Sequence, residues 1–270
     1  MRIGINAVWD VFEPEQWADT VIKMGFTASS FPVDYKEPVS RIDAFVKAAK
    51  DRDILIAEVG AWCSPFLKNE KAAQAGRERC FEQLRLADYV KANCCVNVSG
   101  AVGDIWFGCY AENYAEELYK RNVEFIQELC DKVKPQHTYY TLEPMQWMYP
   151  DTPECYAKML KDVNRERFAV HQDPLNFVKD PYTYSHQEEL FHKCFDLLGP
   201  YTKACHLKYC YMAPGQSVDI REVVLGEGVS PIRVYLDEVE KLDPDMPIML
   251  EHLPDLSTYA KARANLERFL

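Results

Sequence analysis

The segment HTYYTLEPMQWMYPDTPECYAKMLKDVNRERFAVHQDP (residues 137–174) carries the pattern that decides the fold. It begins with a β-rich run at 137–143, passes through an apolar loop into a helical period at 153–162, and ends in a second short run at 168–173. Strand, helix and strand in succession are typical of a parallel βαβ unit. Thr152, which stands just before a proline, is suited to cap the helix.

The same alternation continues along the whole chain. The predicted strands are 2–8, 26–31, 53–59, 93–99, 137–143, 168–173, 204–208 and 247–251. The predicted helices are 14–24, 39–51, 69–91, 110–133, 153–162, 186–198, 230–241 and 256–269. A chain of 270 residues suits the roughly 250 residues that a (β/α)8 barrel needs. We therefore predict a single (β/α)8 TIM barrel of the α/β class that spans 1–270 as one domain.

Composition argues against several functional classes. Asp and Glu total 42 against 31 Lys and Arg, and the resulting net charge of -11 disfavours nucleic acid as the main partner. The N-terminal MRIGINAVWD lacks the basic start and cleavage site of a signal peptide. No run approaches the roughly 18 apolar residues of a membrane span. These features predict a soluble, cytoplasmic protein that binds neither nucleic acid nor a membrane.

The ten cysteines show no CxxC pair. Without an export signal, a disulfide framework is not expected in a chain of this length. We predict free and mostly buried thiols.

Four polar residues stand at the ends of the last four predicted strands. They are Glu143, Asp173, His206 and Glu251. In (β/α)8 barrels the reacting groups lie at the C-terminal ends of the strands, so all four should meet at one mouth. Three carboxylates and an imidazole would repel each other unless a cation such as Mn²⁺, Mg²⁺ or Co²⁺ lay between them. The alternative for each residue taken alone is a helix cap or a surface ion pair.

Three further residues are candidates for substrate binding inside the mouth. Lys208 lies two residues after His206, so strand alternation turns it to the same inner side, as a substrate or oxyanion contact or as a rim ion pair. His171 lies two residues before Asp173 and should also face inward, either towards substrate or as a buried histidine bonded to a carboxylate. Glu58, at the end of the third strand, could bind a substrate hydroxyl or form an internal ion pair.

The loop at 144–151 is too apolar for a solvent-facing connection. We predict that Trp147 and Tyr149 face a ligand or a partner subunit. Neither clustered Arg and Lys nor a glycine-rich phosphate cradle is evident, which favours a neutral or aromatic-linked sugar over a phosphorylated one. His252 follows Glu251 directly, so alternation should point it away from the mouth and leave it a structural role.

Six short segments resemble the xylose isomerase-like barrels, the sugar phosphate isomerase/epimerase superfamily. They are AEVGAW (57–62), TLEPMQWMYPD (141–151), AVHQDPLNF (169–177), CHLKY (205–209), LGEG (225–228) and MLEHL (249–253). In that superfamily the order Glu, Asp, His, Glu on strands five to eight binds Mn²⁺, Co²⁺ or Mg²⁺. The resemblance implies the same metal-binding role for Glu143, Asp173, His206 and Glu251. Arg221, ahead of LGEG, resembles a substrate-binding arginine.

The resemblance also implies a reaction. In the epimerase branch the metal polarises a carbonyl and stabilises an enediolate, while two metal-bound glutamates move the proton. Glu143 and Glu251 match those glutamates. Ketose 3-epimerases have a second glutamate where Tyr149 stands and a histidine where Asn176 stands. These departures argue against simple epimerisation of a free ketose.

The leading prediction is a divalent-metal-dependent enzyme that abstracts a proton next to a carbonyl of a sugar or sugar conjugate, as an isomerase or epimerase. One alternative is a lyase that cleaves an oxidised C-glycoside, since C-glycoside deglycosidase α subunits resemble this superfamily and work with a small β subunit. A second alternative is a non-catalytic barrel subunit. An endonuclease of the same superfamily is disfavoured by the six histidines and the net charge of -11. A small β subunit or further copies of the chain remain open as partners.

Overall fold

Eight parallel strands close into a barrel in the computed structural model, which describes residues 1–9 and 13–270. The strands, numbered along the chain, are β1 (Arg2–Ile5), β2 (Ala28–Ser30), β3 (Leu55–Gly60), β4 (Cys94–Asn97), β5 (Tyr139–Leu142), β6 (Phe168–Gln172), β7 (Thr202–Leu207), β8 (Cys210–Met212), β9 (Ile220–Glu222) and β10 (Pro247–Leu250). The order around the barrel is β1-β10-β7-β6-β5-β4-β3-β2, and β8 and β9 form a separate antiparallel pair. The predicted (β/α)8 TIM barrel is confirmed.

Helices surround the strands. They are α1 (Pro14–Lys23), α2 (Val39–Asp51), α3 (Glu70–Val90), α4 (Glu116–Val133), α5 (Pro153–Val163), α6 (Pro181–Ser185), α7 (Gln187–Leu198), α8 (Ile232–Glu240) and α9 (Leu256–Leu266). Helix α5 shows how the sequence places them. The Thr152 side chain accepts a hydrogen bond from the backbone N–H of Cys155 at 3.1 Å, so the helix begins where the sequence predicted. The buried positions Tyr156, Met159 and Val163 recur at helical spacing and face the strands.

Apolar side chains fill the lower part of the barrel interior. Met249 packs there with Ala28 and Ala57. A Cβ atom on Gly4 would lie 2.2 Å from the sulfur of Met249, so only glycine leaves room for that side chain. Burying a side chain of this size stabilises the fold by about 1.5–3 kcal/mol. This packing forms a closed floor beneath the polar residues at the strand ends.

The β8–β9 hairpin over the mouth was not predicted from the sequence. Tyr211 pairs with Arg221 in this hairpin, within a segment for which neither a strand nor a helix was predicted. The hairpin is held by neighbouring backbone, since the N–H of Val229 donates to the carbonyl of Cys210 at 2.8 Å. Gly228 permits this approach, because a Cβ there would lie 2.1 Å from the Cys210 oxygen. These three-residue strands lie outside the alternation of strand and helix that revealed the equally short β2, so little in the local sequence marks them.

All ten cysteines are free, and most are buried, as predicted. Within the described residues, no helix combines the length and the apolar character needed to span a bilayer.

Candidate metal and substrate site

Four side chains converge at the C-terminal end of the barrel. Glu143, Asp173 and Glu251 directly follow β5, β6 and β10, and His206 lies in β7. One ligand atom from each lies within 4.8 Å of the others, and all four residues are buried. Nδ1 of His206 is 2.9 Å from Oε1 of Glu251, 3.5 Å from Oε1 of Glu143 and 3.9 Å from Oδ2 of Asp173. The structure thus brings together the four residues that were predicted from the sequence to bind a metal.

The donor atoms of this cluster suit a divalent cation. Oδ2 of Asp173, Nδ1 of His206 and Oε1 of Glu251 are buried and have no hydrogen-bond partner in the described part of the chain. Leaving a buried polar atom without a hydrogen bond costs about 1–3 kcal/mol. Three such atoms facing one another therefore indicate a site for a bound cation. Carboxylate oxygens with an imidazole nitrogen are a donor set that Mn²⁺, Mg²⁺ and Co²⁺ accept.

Lys208 is buried against the same carboxylates. Its Nζ lies 3.0 Å from Oε1 of Glu143, 2.8 Å from Oδ2 of Asp173 and 2.5 Å from Oε1 of Glu251. These distances make ion pairs, although the ammonium does not give the Asp173 and Glu251 oxygens well-aligned hydrogen bonds. One ammonium balances one of the three carboxylates, and a divalent cation would balance the remaining two charges.

The pKa shifts follow from burial and from charge crowding. Burial, together with the charges of Glu143 and Glu251, raises the pKa of Asp173 to about 7 even though Lys208 opposes the shift. Burial alone would lower the pKa of Lys208, but the surrounding carboxylates raise it well above its usual value. Burial would raise the pKa of Glu143, but the charges of Lys208 and His206 lower it well below its usual value. Without a further cation, the Asp173 carboxylate is therefore partly protonated near neutral pH.

We expect Lys208→Met to lower the free energy of unfolding of the metal-free protein by about 3–5 kcal/mol, because removing one partner of a buried ion pair leaves the other uncompensated. The same variant should bind Mn²⁺ more tightly, since a positive charge has been removed from beside the ion. Urea unfolding and Mn²⁺ titration measure the two effects. Lys158→Met is the control, because Lys158 pairs with Asp162 on the surface of α5 and should change neither quantity appreciably. Unchanged or weaker Mn²⁺ binding by Lys208→Met would contradict this account.

Glu58 and His171 lie beneath the cluster, inside the barrel. Oε2 of Glu58 is 2.9 Å from Nε2 of His171 and 3.3 Å from Nε2 of His206, and both Glu58 and His171 are almost fully buried. Burial alone would raise the pKa of Glu58, but the charge of His206 and the hydrogen bond to His171 lower it to about 2. This placement favours the internal ion pair for Glu58 and the buried histidine for His171 over direct substrate contact.

A cavity of about 380 Å³ adjoins the cluster through Lys208 and Asn176, although none of the four candidate ligands lines it. Its wall includes Met145, Trp147, Leu175, Ile220 and Arg221, and its floor includes Lys208. The indole N–H of Trp147 donates to the carbonyl of Phe107 at 2.8 Å, which holds the ring at the rim. Trp147 therefore lines the cavity wall, and its contact with a ligand stays a prediction.

Tyr149 turns away from the cavity. Its hydroxyl donates to the carbonyl of Tyr114 at 2.8 Å, and its ring packs edge-on against Tyr119 with the centroids 5.2 Å apart. The prediction that Tyr149 faces the ligand is wrong. The half-buried side chain packs against Tyr119 of α4, a contact that the local sequence does not show.

Arg221 lies at the edge of the cavity. Its Nε donates to Oδ1 of Asp219 at 2.9 Å, and its side chain is 66% exposed. Its role as a substrate contact stays a prediction.

Three residues at the site were not selected from the sequence. Nδ2 of Asn176 donates to Oε1 of Glu143 at 2.8 Å, and its Oδ1 accepts from Lys208 at 3.2 Å. Glu222 reaches the site from the β8–β9 hairpin, with Oε1 3.7 Å from Nζ of Lys208. His252 lies at the mouth with Nδ1 2.8 Å from Oε2 of Glu222.

The expected outward direction of His252 is wrong. The residue has φ 57°, a left-handed conformation that breaks strand alternation just after β10. A pattern of alternation cannot anticipate such a residue. Asn176 could have been found, because it stands where related ketose epimerases have a histidine. The position of Glu222 at the site could not be predicted, because the hairpin that carries this residue was not predicted.

Fold and site together define a class: a (β/α)8 barrel with a buried carboxylate–histidine cluster at the C-terminal ends of its strands. The chain belongs to the xylose isomerase-like TIM barrel family, whose model matches residues 18–269. No curated protein matches the chain.

Solved structures share the whole fold at low sequence identity. A xylose isomerase-like TIM barrel protein from Mycobacterium smegmatis in complex with magnesium has a TM-score of 0.73 and 19% identity, covering 99% of this chain and 96% of that one. A D-psicose 3-epimerase solved with D-fructose has a TM-score of 0.72 and 16% identity, with 99% and 98% covered. The 3-keto-D-glucoside 4-epimerase of E. coli has a TM-score of 0.69 and 13% identity, with 99% of each chain covered. At these identities the likeness shows the fold.

Proposed function

We propose that this chain is a divalent-metal-dependent enzyme that removes a proton from the carbon next to a carbonyl of a sugar or sugar conjugate, as an isomerase or epimerase. The observation that carries the proposal is the set of buried oxygen and nitrogen atoms of Asp173, His206 and Glu251 that face one another, have no well-aligned hydrogen bond in the described chain and lie next to an open cavity. Membership of the xylose isomerase-like family and sugar epimerases among the structural neighbours support it.

The metal would be held by Glu143, Asp173, His206 and Glu251. A bound Mn²⁺, Mg²⁺ or Co²⁺ would act as a Lewis acid on the substrate carbonyl. We favour Mn²⁺ because the cluster combines carboxylates with an imidazole, a mixture that suits this ion better than the harder Mg²⁺.

Two glutamates, Glu143 and Glu251, would move the proton in this proposal, and their surroundings differ. Oε1 of Glu143 accepts hydrogen bonds from Asn176 and Lys208, which stabilise its ionised form. Oε1 of Glu251 lies 2.5 Å from Nζ of Lys208 and 2.9 Å from Nδ1 of His206, but it accepts no well-aligned hydrogen bond in the described chain. We propose that these two glutamates remove and return the proton, with the ionised Glu143 as the group that takes it up first, and that the Lys208 ammonium offsets the negative charge that develops on the substrate.

Deuterium exchange tests this proposal. Protein loaded with Mn²⁺, Mg²⁺ or Co²⁺ is incubated in D₂O with a panel of free and aryl-linked keto-sugars. We expect deuterium at the carbon next to the carbonyl of at least one of them, and none with metal-stripped protein. Full metal occupancy without exchange in any member of the panel would contradict the proposal and favour a non-catalytic barrel subunit.

The apolar wall of the cavity favours a second candidate, a lyase acting on an oxidised C-glycoside. Trp147, Met145 and Leu175 offer a surface suited to an aromatic group. The reaction would begin with the same proton removal. The bond from the adjacent carbon to the aryl group would then break, a double bond would form in the sugar, and the electron pair would leave with the aryl group, which takes up a proton. The Phe107 side chain is 48% exposed at the rim. A small β subunit or a second copy of the chain would contact the protein there.

Trp147→Ala distinguishes the two candidates. If the cavity holds an aryl group, the variant should raise KM for an aryl-linked keto-sugar by at least about tenfold, since burying an aromatic group contributes over about 1.4 kcal/mol. The KM for a free ketose should change far less. Tyr149→Ala is the matched control, because Tyr149 lies outside the cavity wall. Equal effects of Trp147→Ala on both substrates would exclude the aryl site and leave plain isomerase chemistry.

A further inference from the structure

The two ring nitrogens of His206 face different surroundings. Nδ1 faces the carboxylates of Glu251, Glu143 and Asp173 and has no hydrogen-bond partner in the described chain. Nε2 faces the floor of the site, where Oε2 of Glu58 lies 3.3 Å away and Oε1 lies 3.5 Å away. A neutral imidazole carries one N–H and one lone pair, so a hydrogen bond at Nε2 leaves the lone pair on Nδ1.

A bulge in β3 directs Glu58 into the barrel. Ser29 pairs with Ile56 and Ser30 pairs with Glu58, so Ala57 is an extra residue in β3 relative to β2. Ala57 lies in the interior cluster with Met249, and Glu58, its direct neighbour, also contacts interior residues. In a regular strand, neighbouring residues point to opposite faces. Bulges often redirect a side chain next to an active site, and this one brings a carboxylate beneath His206.

Other contacts restrain Glu58 and His206. Nε2 of His171 lies 2.9 Å from Oε2 of Glu58, and the His171 and His206 rings meet edge-on with their centroids 4.0 Å apart. The hydroxyl of Tyr235 donates to the backbone carbonyl of His206 at 2.8 Å. These contacts leave the His206 ring little freedom to rotate and exchange its two nitrogens.

We propose that Glu58 is a positioning residue for metal binding: it accepts a hydrogen bond from Nε2 of His206 and so presents Nδ1 to the ion. The inference rests on the proposed metal site and assigns Glu58 a role that needs no contact with substrate. A carboxylate that orients a metal-binding histidine typically strengthens metal binding by about 10–100-fold.

Glu58→Gln tests the proposal because it keeps the shape of the side chain. The carboxylate accepts from two imidazole N–H groups, whereas glutamine has one acceptor oxygen and sets an N–H₂ group against the other donor. We expect Mn²⁺ affinity, measured by electron paramagnetic resonance titration, to fall by about 10–100-fold. The matched control is Glu238→Gln, since Glu238 also pairs with a histidine, His192, at 2.7 Å, but on α8 and away from the site. Wild-type affinity in Glu58→Gln would overturn the inference.

A spectroscopic measurement on the unmodified protein keeps the test valid even if Glu58→Gln does not fold. Long-range ¹H–¹⁵N spectra of histidine-labelled, Zn²⁺-loaded protein distinguish a metal-bound nitrogen from a protonated one. We expect His206 to bind through Nδ1 and to carry its proton on Nε2, and binding through Nε2 would overturn the inference. If the wild-type chain bound neither Mn²⁺ nor Zn²⁺, the proposed metal site itself would fail. Metal binding that is indifferent to Glu58 would refute only its positioning role.

Discussion

Asp173→Ala and His206→Ala are expected to lose nearly all bound Mn²⁺, while the unmodified chain carries close to one ion. Each variant removes one of the four ligands and leaves the remaining carboxylates crowded together with fewer compensating groups. The loss should exceed the about 10–100-fold effect of removing a group that merely orients a ligand. Elemental analysis after dialysis against a weak chelator measures the ion content.

The control for these variants is His192→Ala, which removes a histidine of α7 that pairs with Glu238 on the outside of the barrel. It should keep full metal content. Full occupancy in His206→Ala would remove the central claim about the site, provided that circular dichroism shows the variant to be folded.

Glu143→Gln and Glu251→Gln are expected to lower turnover by at least about 10²-fold at saturating metal, the lower range for general acid–base groups. Glutamine keeps the size of each side chain and one oxygen towards the ion, but it cannot take up or return a proton near neutral pH. Turnover should be measured on the keto-sugar that exchanges deuterium, with Mn²⁺ raised until the rate no longer increases.

Glu227→Gln is the control for the glutamate pair, because Glu227 pairs with Lys261 and is exposed. If both Glu143→Gln and Glu251→Gln turned over near the wild-type rate, the acid–base assignment would be wrong even with the metal site intact. Loss in Glu251→Gln alone would mean that one glutamate carries the proton in both directions.

The residues that could be predicted share one property: they lie at the end of a regular strand or directly after it. Glu143, Asp173, His206 and Glu251 end successive parallel strands, and closing a barrel brings such ends to one mouth whatever the loops do. Lys208 follows from His206 by the two-residue period of a strand. The position of each residue therefore depends on local periodicity and on the fold class, both of which the sequence displays.

The residues that could not be predicted depend on irregular backbone or on distant segments. The left-handed conformation of His252 turns it to the mouth. Glu222 arrives on a hairpin that is held by the loop around Gly228. Tyr149 packs against Tyr119 of α4, a helix that ends more than fifteen residues earlier in the chain. For Glu222 and Tyr149 the deciding contact joins parts of the chain that no local pattern relates.

The sequence by itself therefore determined the barrel, the end of the barrel at which the polar cluster lies and the four candidate ligands, because these follow from repeating periods of two and 3.6 residues. Only the tertiary structure determined which groups the Glu58 carboxylate contacts. An extra residue in β3 redirects its side chain, and the partners that give this buried carboxylate its role, His171 and His206, lie 113 and 148 residues further along the chain. A buried charge is tolerated only where such partners pair with it or form hydrogen bonds to it. Only the folded chain brings these partners together.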